Sequence, residues 1–466
     1  MAKNINFILA ITLLSLLYLG ASLYSDHQVQ LENVSAVHPK LDASVLRHWH
    51  SRFADLLDEP LWTPVNIYDA GHYLMVPLHT AFYFNNRKII KDFSRQFENF
   101  MNFLNGRGLA FTGAGTQNNS QYAYLASRYL YLAHAFGYQD YVPNGLFKVL
   151  EDFVLDYSKK PGTWWKNQER AMTLDERYTF IMSDEATDFQ YYKVIPDLHL
   201  FLSAIAADLV SVARKADMQT CRINELEYIV RRTYDLLKHE IVFLGQNDRW
   251  LLQPGVWSDH RDYSYAGHNK VFEDMQPKPI PDIAIDSSHF HRFPLFLISW
   301  QTAFNPASAE YKYFEKLRSG LVEQMITAVI MPPIREASFY RLTNYMDGRN
   351  GVYRFNYVTN AEQKGTLPYQ LSGTFLLGWW AFLSDSSISQ IYKEIFDSFP
   401  LSKKAIECYT GANTTRERNP IFYAPGCYHD KGIIKIITYF AYKIGGATLK
   451  SNNTKYNAEF NYNERK

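Results

Sequence analysis

The chain has 466 residues, with 48 Lys and Arg against 47 Asp and Glu and a formal net charge of +1. This balance argues against a nucleic-acid partner, because a general nucleic-acid surface requires a clear excess of basic residues. Aromatic residues form 16% of the chain. Most of these rings are expected to fill helix interfaces, whereas exposed rings can stack on the apolar faces of sugars.

The first residues have the pattern of an export signal. A basic residue, an apolar stretch ending at Leu19 and the small residues Gly20-Ala-Ser22 follow one another. Residues 1–25 are therefore predicted to be a signal peptide, or a signal anchor if they are not cleaved, since the apolar stretch nearly reaches the length of a membrane span. We expect an exported protein (periplasmic, extracellular or in a secretory lumen) that meets a membrane only through this segment.

A tetrapeptide frame occurs twice, at Asp69-Ala-Gly-His72 and at Asp286-Ser-Ser-His289. In each copy a Pro-Leu pair follows after four further residues, inside a strongly apolar stretch. In both copies the Asp and the His lie at the same spacing before an apolar helix. This suggests that they occupy equivalent positions in a repeated helical architecture. We therefore expect Asp69 and His72 to lie close to the second copy, at one opening of this helical architecture. There they would help to bind a substrate.

Two kinds of helical pattern alternate along the chain. Amphipathic stripes, typical of helices with one buried face, occupy stretches 89–104, 122–136, 223–241, 311–325 and 388–399. Stretches 198–212, 294–304 and 375–383 are apolar almost all round. An outer layer of amphipathic helices around an inner apolar layer is typical of an α/α toroid, either incomplete or a six-hairpin barrel. The predicted fold class is mainly α, with a single catalytic domain at 26–450 and a polar tail at 451–466.

Residues 246–285 lack apolar residues at helical spacing, and Pro and Gly are frequent there. A loop of this length inside a domain is usually functional, and this one contains groups suited to removing a proton beside a carboxylate. The candidates are Tyr263, Tyr265, His260 and His268 for proton transfer, Arg261 and Asn269 for carboxylate binding, and Trp257 as a stacking platform.

The segment from Asp286 to Arg292 precedes an apolar helix and is expected at the toroid mouth. Asp286 and His289 are catalytic candidates there, and Arg292 is a substrate-binding candidate. The alternative is a structural role, because Asp and Ser are good N-cap residues. A metal site at His289-x-His291 is not favoured, since residues two apart converge poorly on one ion; we expect neither a metal nor a cofactor.

Two further predictions concern the C-terminal half of the chain. Strand-like runs around Asp347-Gly and Asn350-Gly turns predict a small β-hairpin at 337–358. Cys408 and Cys427 flank a loop-rich segment and are predicted to form a disulfide in an oxidising compartment. Cys221 is then expected to be a buried thiol.

A helical toroid rich in Tyr and Trp, with His and Tyr in its mouth loops, resembles the α/α-toroid polysaccharide lyases, including alginate-lyase-like and heparinase-like enzymes. The likeness is architectural. The run Gln117-Asn-Asn-Ser-Gln-Tyr122 is similar to an Asn-Asn-His-containing segment of the alginate-lyase type, which implies that Asn119 neutralises the substrate carboxylate. Ser120 stands where that segment has His, so His268 or His289 would take the catalytic role.

The predicted function is cleavage of a uronate-containing polysaccharide by β-elimination, with Tyr265, His268 or His289 removing the C5 proton. Two alternatives stay open. A glycoside hydrolase would need two carboxyl groups across the scissile bond, for which Asp184, Glu185, Asp188, Asp259, Asp262 and Asp286 are available. A non-catalytic glycan-binding or envelope protein would bind sugars without changing them.

Overall fold

The computed structural model describes residues 40–162, 170–218, 220–356, 365–412, 420–423 and 425–451. The predicted signal segment at 1–25 lies outside these residues, as does nearly all of the predicted tail. The described residues from Leu41 onward belong to one compact unit.

The fold is mainly helical, which confirms the predicted class. The α-helices are α1 Ala43–Arg52, α2 Ile67–Tyr73, α3 Met75–Tyr83, α4 Arg87–Leu104, α5 Thr116–Ala135, α6 Leu146–Lys159, α7 Leu174–Ile181, α8 Asp197–Lys215, α9 Cys221–Glu240, α10 Ser287–Phe290, α11 Phe293–Thr302, α12 Ala309–Gln324, α13 Ser386–Asp397, α14 Lys403–Thr410, α15 Pro420–Tyr423 and α16 Ile433–Ser451. The strands are β1 Ile241–Phe243, β2 Trp250–Leu252, β3 Ile330–Met331 and β4 Arg341–Leu342.

The amphipathic stripe at 89–104 predicted the buried face of α4 correctly, whereas α5, which contains the stripe at 122–136, is buried on nearly all sides from Asn119 to Ala133. In α4, Ile89, Phe93 and Phe97 are fully buried along one face, while Glu98 on another face is not buried. The Asn86 side chain accepts a hydrogen bond from the Ile89 backbone N–H at 3.2 Å and so caps the start of α4. Helix α8, apolar almost all round in sequence, is buried along most of its length.

A second set of segments contact one another in chain order, and this set includes α5, whose sequence pattern is amphipathic. Helix α3 packs against α5, α5 against α8, and α8 against α11. Helix α11 then contacts the segment Trp379–Leu383, which contacts α16, and α16 packs against α3. The amphipathic helices α4, α9, α12 and α13 pack on α3, α8, α11 and α16 respectively.

The stretch 375–383 is not the α-helix that its composition predicted. It forms two short 3₁₀ segments, Ser372–Leu377 and Trp379–Leu383, separated by Gly378. Gly378 has a positive φ of 82°, which interrupts an α-helix and which glycine adopts without steric penalty.

The hairpin predicted at 337–358 is wrong in its pairing. The tight turn is present, since Gly348 N–H donates to the Tyr345 carbonyl at 3.1 Å. Strand β4, however, pairs antiparallel with β3, with Ile330 opposite Leu342. Tyr353 forms an isolated bridge with Thr366 instead of pairing across the turn. Apolar β3, which follows the π-helical segment Met325–Val329 after α12, supplied a buried partner that the local turn pattern could not reveal.

The predicted disulfide is not formed. Cys408 is a thiol whose Sγ donates to the Tyr369 carbonyl at 3.4 Å, because α14 directs it toward that backbone. Cys221 is exposed rather than buried, since it is the first residue of α9, directly after the Thr220 N-cap.

Among the described residues, the stretch Gln190–Lys215 is long and apolar enough to cross a membrane by length and composition. Its apolar window is 78% buried inside the protein. Since α8 makes up most of this stretch and packs against α5, α9 and α11, its apolar character is accounted for by burial in the core.

Candidate functional site

Asp286 and His289, the two titratable residues of the second frame, are in direct contact. Asp286 is the N-cap of α10 and accepts backbone N–H bonds from Ser288 at 3.1 Å and His289 at 3.0 Å. The same carboxylate lies 2.9 and 2.7 Å from His289 Nδ1 through its two oxygens. Asp286 therefore has the capping role that its residue type predicted and also orients an imidazole.

The electrostatics of this pair favour an ionised Asp286 carboxylate beside the imidazole of His289. Burial of Asp286 would raise its pKa, but the adjacent charge and hydrogen bond of His289 outweigh burial and hold the pKa well below its usual value. In either protonation state Nδ1 donates to the carboxylate, so the proton that His289 can lose or gain is the one on Nε2. The His289 side chain is 28% exposed, so this nitrogen belongs to a group that a ligand can reach.

Tyr263 joins the long loop to the second frame. Its hydroxyl donates to Asp286 Oδ2 at 2.8 Å and accepts from the Asp286 backbone N–H at 3.2 Å. Burial, followed by the charge of Asp286, raises the pKa of Tyr263 well above its usual value, so the phenol stays protonated and acts as a donor. The Trp257 ring stacks on the Tyr263 ring, with centroids 5.3 Å apart, and Trp257 is half-buried.

The structure also brings the two frames together. Arg292 Nε donates to His72 Nε2 at 3.1 Å, and His72 Nδ1 lies 2.7 Å from the Tyr68 carbonyl oxygen. These two bonds are satisfied by a neutral His72 with its proton on Nδ1. Arg292 also forms an ion pair with Asp197 at the start of α8.

This junction is closed rather than open to a substrate. His72 is 3% exposed, Arg292 2% and Asp69 1%. The expected substrate-binding roles of these three residues are therefore not supported by their environment, because a substrate does not reach side chains that are buried to this extent. The repeated tetrapeptide therefore lies at a junction between helices, where the N-terminal ends of α3, α8 and α11 meet.

His291 lies inside the same junction. Its Nδ1 bonds the Ser288 carbonyl, while Nε2 has no hydrogen-bond partner and is buried. Its ring centroid is 5.4 Å from both the His72 ring and the Trp379 ring. Burial, followed by the charge of Arg292, lowers the pKa of His291 well below its usual value, so this imidazole is neutral.

The other predicted proton-transfer residues lie in the loop and have other contacts. His268 Nε2 is 2.8 Å from the Gln276 carbonyl oxygen, and the Tyr265 ring packs on Phe355 at 4.7 Å. Neither residue contacts Asp286 or His289 within the described part of the chain. His260 packs between Trp257 and Tyr191, and burial is the main cause that lowers its pKa.

The predicted carboxylate-binding residues differ in exposure. Asn119 is 2% exposed, accepts from Thr112 Oγ1 at 2.7 Å and donates to the Ala114 carbonyl at 3.0 Å; it therefore fixes the turn before α5. Asn269 is exposed. Arg261 has a side chain 66% exposed, 3.8 Å from Asp262.

Arg354 was not recognised as a site residue from the sequence. Its Nε donates to Asp262 Oδ2 at 2.9 Å, and its charge lowers the pKa of Asp286. Arg354 has a positive φ of 53°, a backbone conformation that non-glycine residues adopt infrequently and that clusters at functional sites. The sequence carries no signal for this role, since the residues around Arg354 have the pattern of a regular strand.

The carboxylates considered for hydrolysis are engaged separately. Asp259 accepts the backbone N–H groups of Gln190 at 2.6 Å and Tyr191 at 3.3 Å. Asp262 binds Arg354, and Glu185 lies 3.5 Å from Arg170. None of these three contacts Asp286 among the described residues.

Two further observations bear on ligands. A cleft of about 550 Å³ lies between α6, α7 and α9, with Leu155, Tyr178 and Tyr228 among its lining; no predicted site residue lines it. Within the described ranges, no group of three or more His, Cys, Asp or Glu side chains could hold a metal ion.

Comparisons with known proteins give no assignment. No protein-family model, curated protein or solved structure matches this chain. The functional interpretation therefore depends on the geometry of the residues themselves.

Proposed function

We propose that this chain is a glycan-cleaving enzyme, a lyase that breaks a uronate-containing polysaccharide by β-elimination with His289 as the base. The observation that carries the proposal is the Asp286–His289 contact: a fully buried carboxylate holds a partly exposed imidazole by Nδ1. An imidazole held in this way presents Nε2 as a proton acceptor, with the carboxylate stabilising the imidazolium that forms.

In the proposed reaction, His289 Nε2 takes the proton from C5 of the uronate. The electron pair of that C–H bond forms the C4–C5 double bond while the C4–O4 bond breaks. The imidazolium then returns its proton to the departing O4, so the base is regenerated. Tyr263 acts as a positioning residue, since it holds Asp286 rather than the substrate.

The elimination also needs a positive group for the uronate carboxylate, because charge develops there when C5 loses its proton. We assign this role to Arg261 and Arg354. Both approach Asp262, and the charge of Arg354 acts on Asp286. Trp257, half-buried and stacked on Tyr263, is the proposed platform for a sugar ring.

We also propose the α/α toroid as the architecture that supports this site. The proposal is supported by the contacts that lead from α3 through α5, α8, α11 and Trp379–Leu383 to α16, and from α16 back to α3. In this arrangement α10 precedes the inner helix α11, so His289 lies where the chain enters the ring. Export through residues 1–25 remains part of the proposal.

A product assay separates the three functional classes. The purified protein is incubated with uronate-containing and neutral glycans while absorbance at about 232 nm and reducing ends are followed. New absorbance supports a lyase, reducing ends without absorbance indicate a hydrolase, and neither signal, together with measurable glycan binding, indicates a binding protein. Either of the last two results contradicts the proposal.

A further inference from the structure

Three arginine side chains are buried in the described chain, and only two of them have an acidic partner. Arg128 is 0% exposed and forms an ion pair with Asp208 at 2.6 Å. Arg292 is paired with Asp197. Arg177 is also 0% exposed, and within the described residues it forms no ion pair with any carboxylate.

The guanidinium of Arg177 has unused donors. Its Nη2 donates to the Val194 carbonyl at 2.9 Å, whereas Nε and Nη1 are buried with no hydrogen-bond partner. A guanidinium has five N–H donors, so most of its hydrogen-bonding capacity is unfilled. The Phe180 ring, whose centroid lies 5.4 Å from the guanidinium carbon, supplies little compensation for a buried charge.

The neighbours of Arg177 do not neutralise it. Burial lowers the pKa of Arg177 to about 10, so the group is still a cation at neutral pH. His199 is also fully buried; burial, followed by the charge of Arg177, lowers the pKa of His199 well below its usual value. The surroundings therefore hold one positive charge, and buried charges in proteins are normally paired or neutralised.

We propose that Arg177 binds a small inorganic anion of about the size of chloride inside the fold. The unfilled donors Nε and Nη1 give the ligand its hydrogen bonds, and the positive charge gives its sign preference. Complete burial of Arg177 restricts the ligand to a small one. This site is independent of the proposed glycan chemistry at His289, because Arg177 contacts none of the residues assigned to that reaction among those described.

The test measures the thermal unfolding midpoint of the full-length protein at a series of chloride concentrations. Gluconate replaces chloride so that the ionic strength stays constant. Binding to the folded state raises the midpoint by about 1–2 °C for each tenfold increase in chloride above Kd, given the unfolding entropy of a chain of this size. Acetate and phosphate series establish whether a carboxylate or a larger oxyanion replaces chloride.

Arg177→Met keeps much of the apolar stem and removes the charge. It is expected to lose the chloride response and, in gluconate, to unfold at or above the wild-type temperature. Arg231→Met is the matched control, because Arg231 lies on neighbouring α9 with a side chain 61% exposed; this variant is expected to keep the full response. If Arg177→Met does not fold, Arg177→Lys replaces it and is expected to show a weakened response.

An equal chloride response in wild type and Arg177→Met overturns the proposal, because the response then arises elsewhere. The absence of any chloride response in wild type over the range from 1 mM to 300 mM (roughly the span of useful ionic strengths) also overturns it.

Discussion

At the scale of single residues, the carboxylate of Asp286 combines helix capping with orientation of His289. Asp286→Asn keeps the size of the side chain and removes its charge, so the imidazolium formed at His289 loses its stabilisation. We expect turnover to fall by about 100-fold or more while the protein stays folded. The measurement is the initial rate of product formation, with near-ultraviolet circular dichroism as the check on folding.

Asp259→Asn is the matched control for this substitution. Asp259 lies in the same loop system but caps the backbone N–H groups of Gln190 and Tyr191. Its replacement is expected to lower stability by about 1 kcal/mol and to leave turnover within a few-fold. Equal losses of turnover in the two variants would show that the loop, rather than the Asp286 charge, limits the reaction.

Tyr263→Phe tests whether the phenol positions Asp286. The substitution removes the 2.8 Å bond to the carboxylate and the acceptor for the Asp286 backbone N–H. We expect the free energy of unfolding to fall by about 1–3 kcal/mol. Because Tyr263 does not touch the substrate in the proposed reaction, kcat should decrease while KM stays unchanged, and an increase in KM alone would contradict the assignment.

At the scale of secondary-structure elements, Gly378 sets the geometry of the 3₁₀ segments. A Cβ at this position would lie 3.0 Å from Val76 Cγ2, 3.1 Å from Ala441 Cβ and 3.1 Å from Ile437 Cγ2. Gly378→Ala therefore combines a strained positive φ with crowding of α3 and α16, and we expect destabilisation of about 2–4 kcal/mol by urea unfolding.

Gly113→Ala separates these two causes. Gly113 also has a positive φ, 73°, but no described atom lies within 4 Å of the position that a Cβ would take there. This variant should lose only the backbone contribution, about 1 kcal/mol. If both variants lose the same free energy, close packing around Gly378 does not contribute to stability.

At the scale of the whole molecule, three buried histidines make stability depend on pH. Burial, followed by the charge of Arg128, Arg177 or Arg292, lowers the pKa of His79, His199 and His291. In the unfolded chain these imidazoles take up protons near pH 6.5, while in the folded protein they stay neutral. The unfolded state therefore binds more protons below this pH, and stability decreases as the pH falls.

Each such histidine contributes a slope of up to about 1.4 kcal/mol per pH unit below pH 6.5. Urea unfolding at a series of pH values should give a smaller slope for His79→Gln than for wild type. His239→Gln is the control, since the His239 side chain is 56% exposed. An unchanged slope in His79→Gln would show that His79 is protonated in the folded protein.

The sequence predicted where helices form far better than it predicted which elements pack or pair with one another. Local periodicity determines which face of α4 is buried, and the uniformly apolar sequence of α8 indicates a helix buried on most sides, so both elements could be predicted from local sequence. The pairing of β3 with β4 and the thiol state of Cys408 depend on contacts between distant parts of the chain, which no local pattern contains. The break at Gly378 was likewise not predicted, because the stretch around it is apolar almost throughout.

The candidate site was predictable in part for the same reason. Asp286 and His289 are three residues apart, so their contact follows from one helical turn. Tyr263 and Arg354 reach this pair across 23 and 68 positions of sequence, respectively, by tertiary packing. His268 and Tyr265 were equally plausible by residue type but are held elsewhere in the loop.

The most direct test of the central claim compares His289→Gln with His268→Gln in the same preparation. The rate of unsaturated uronate formation from a uronate-containing glycan is measured at saturating substrate for both variants and for wild type. The proposed role of His289 predicts a loss of about 100-fold or more in His289→Gln and a rate within a few-fold of wild type in His268→Gln. A fully active His289→Gln protein, or a loss confined to His268→Gln, would contradict it.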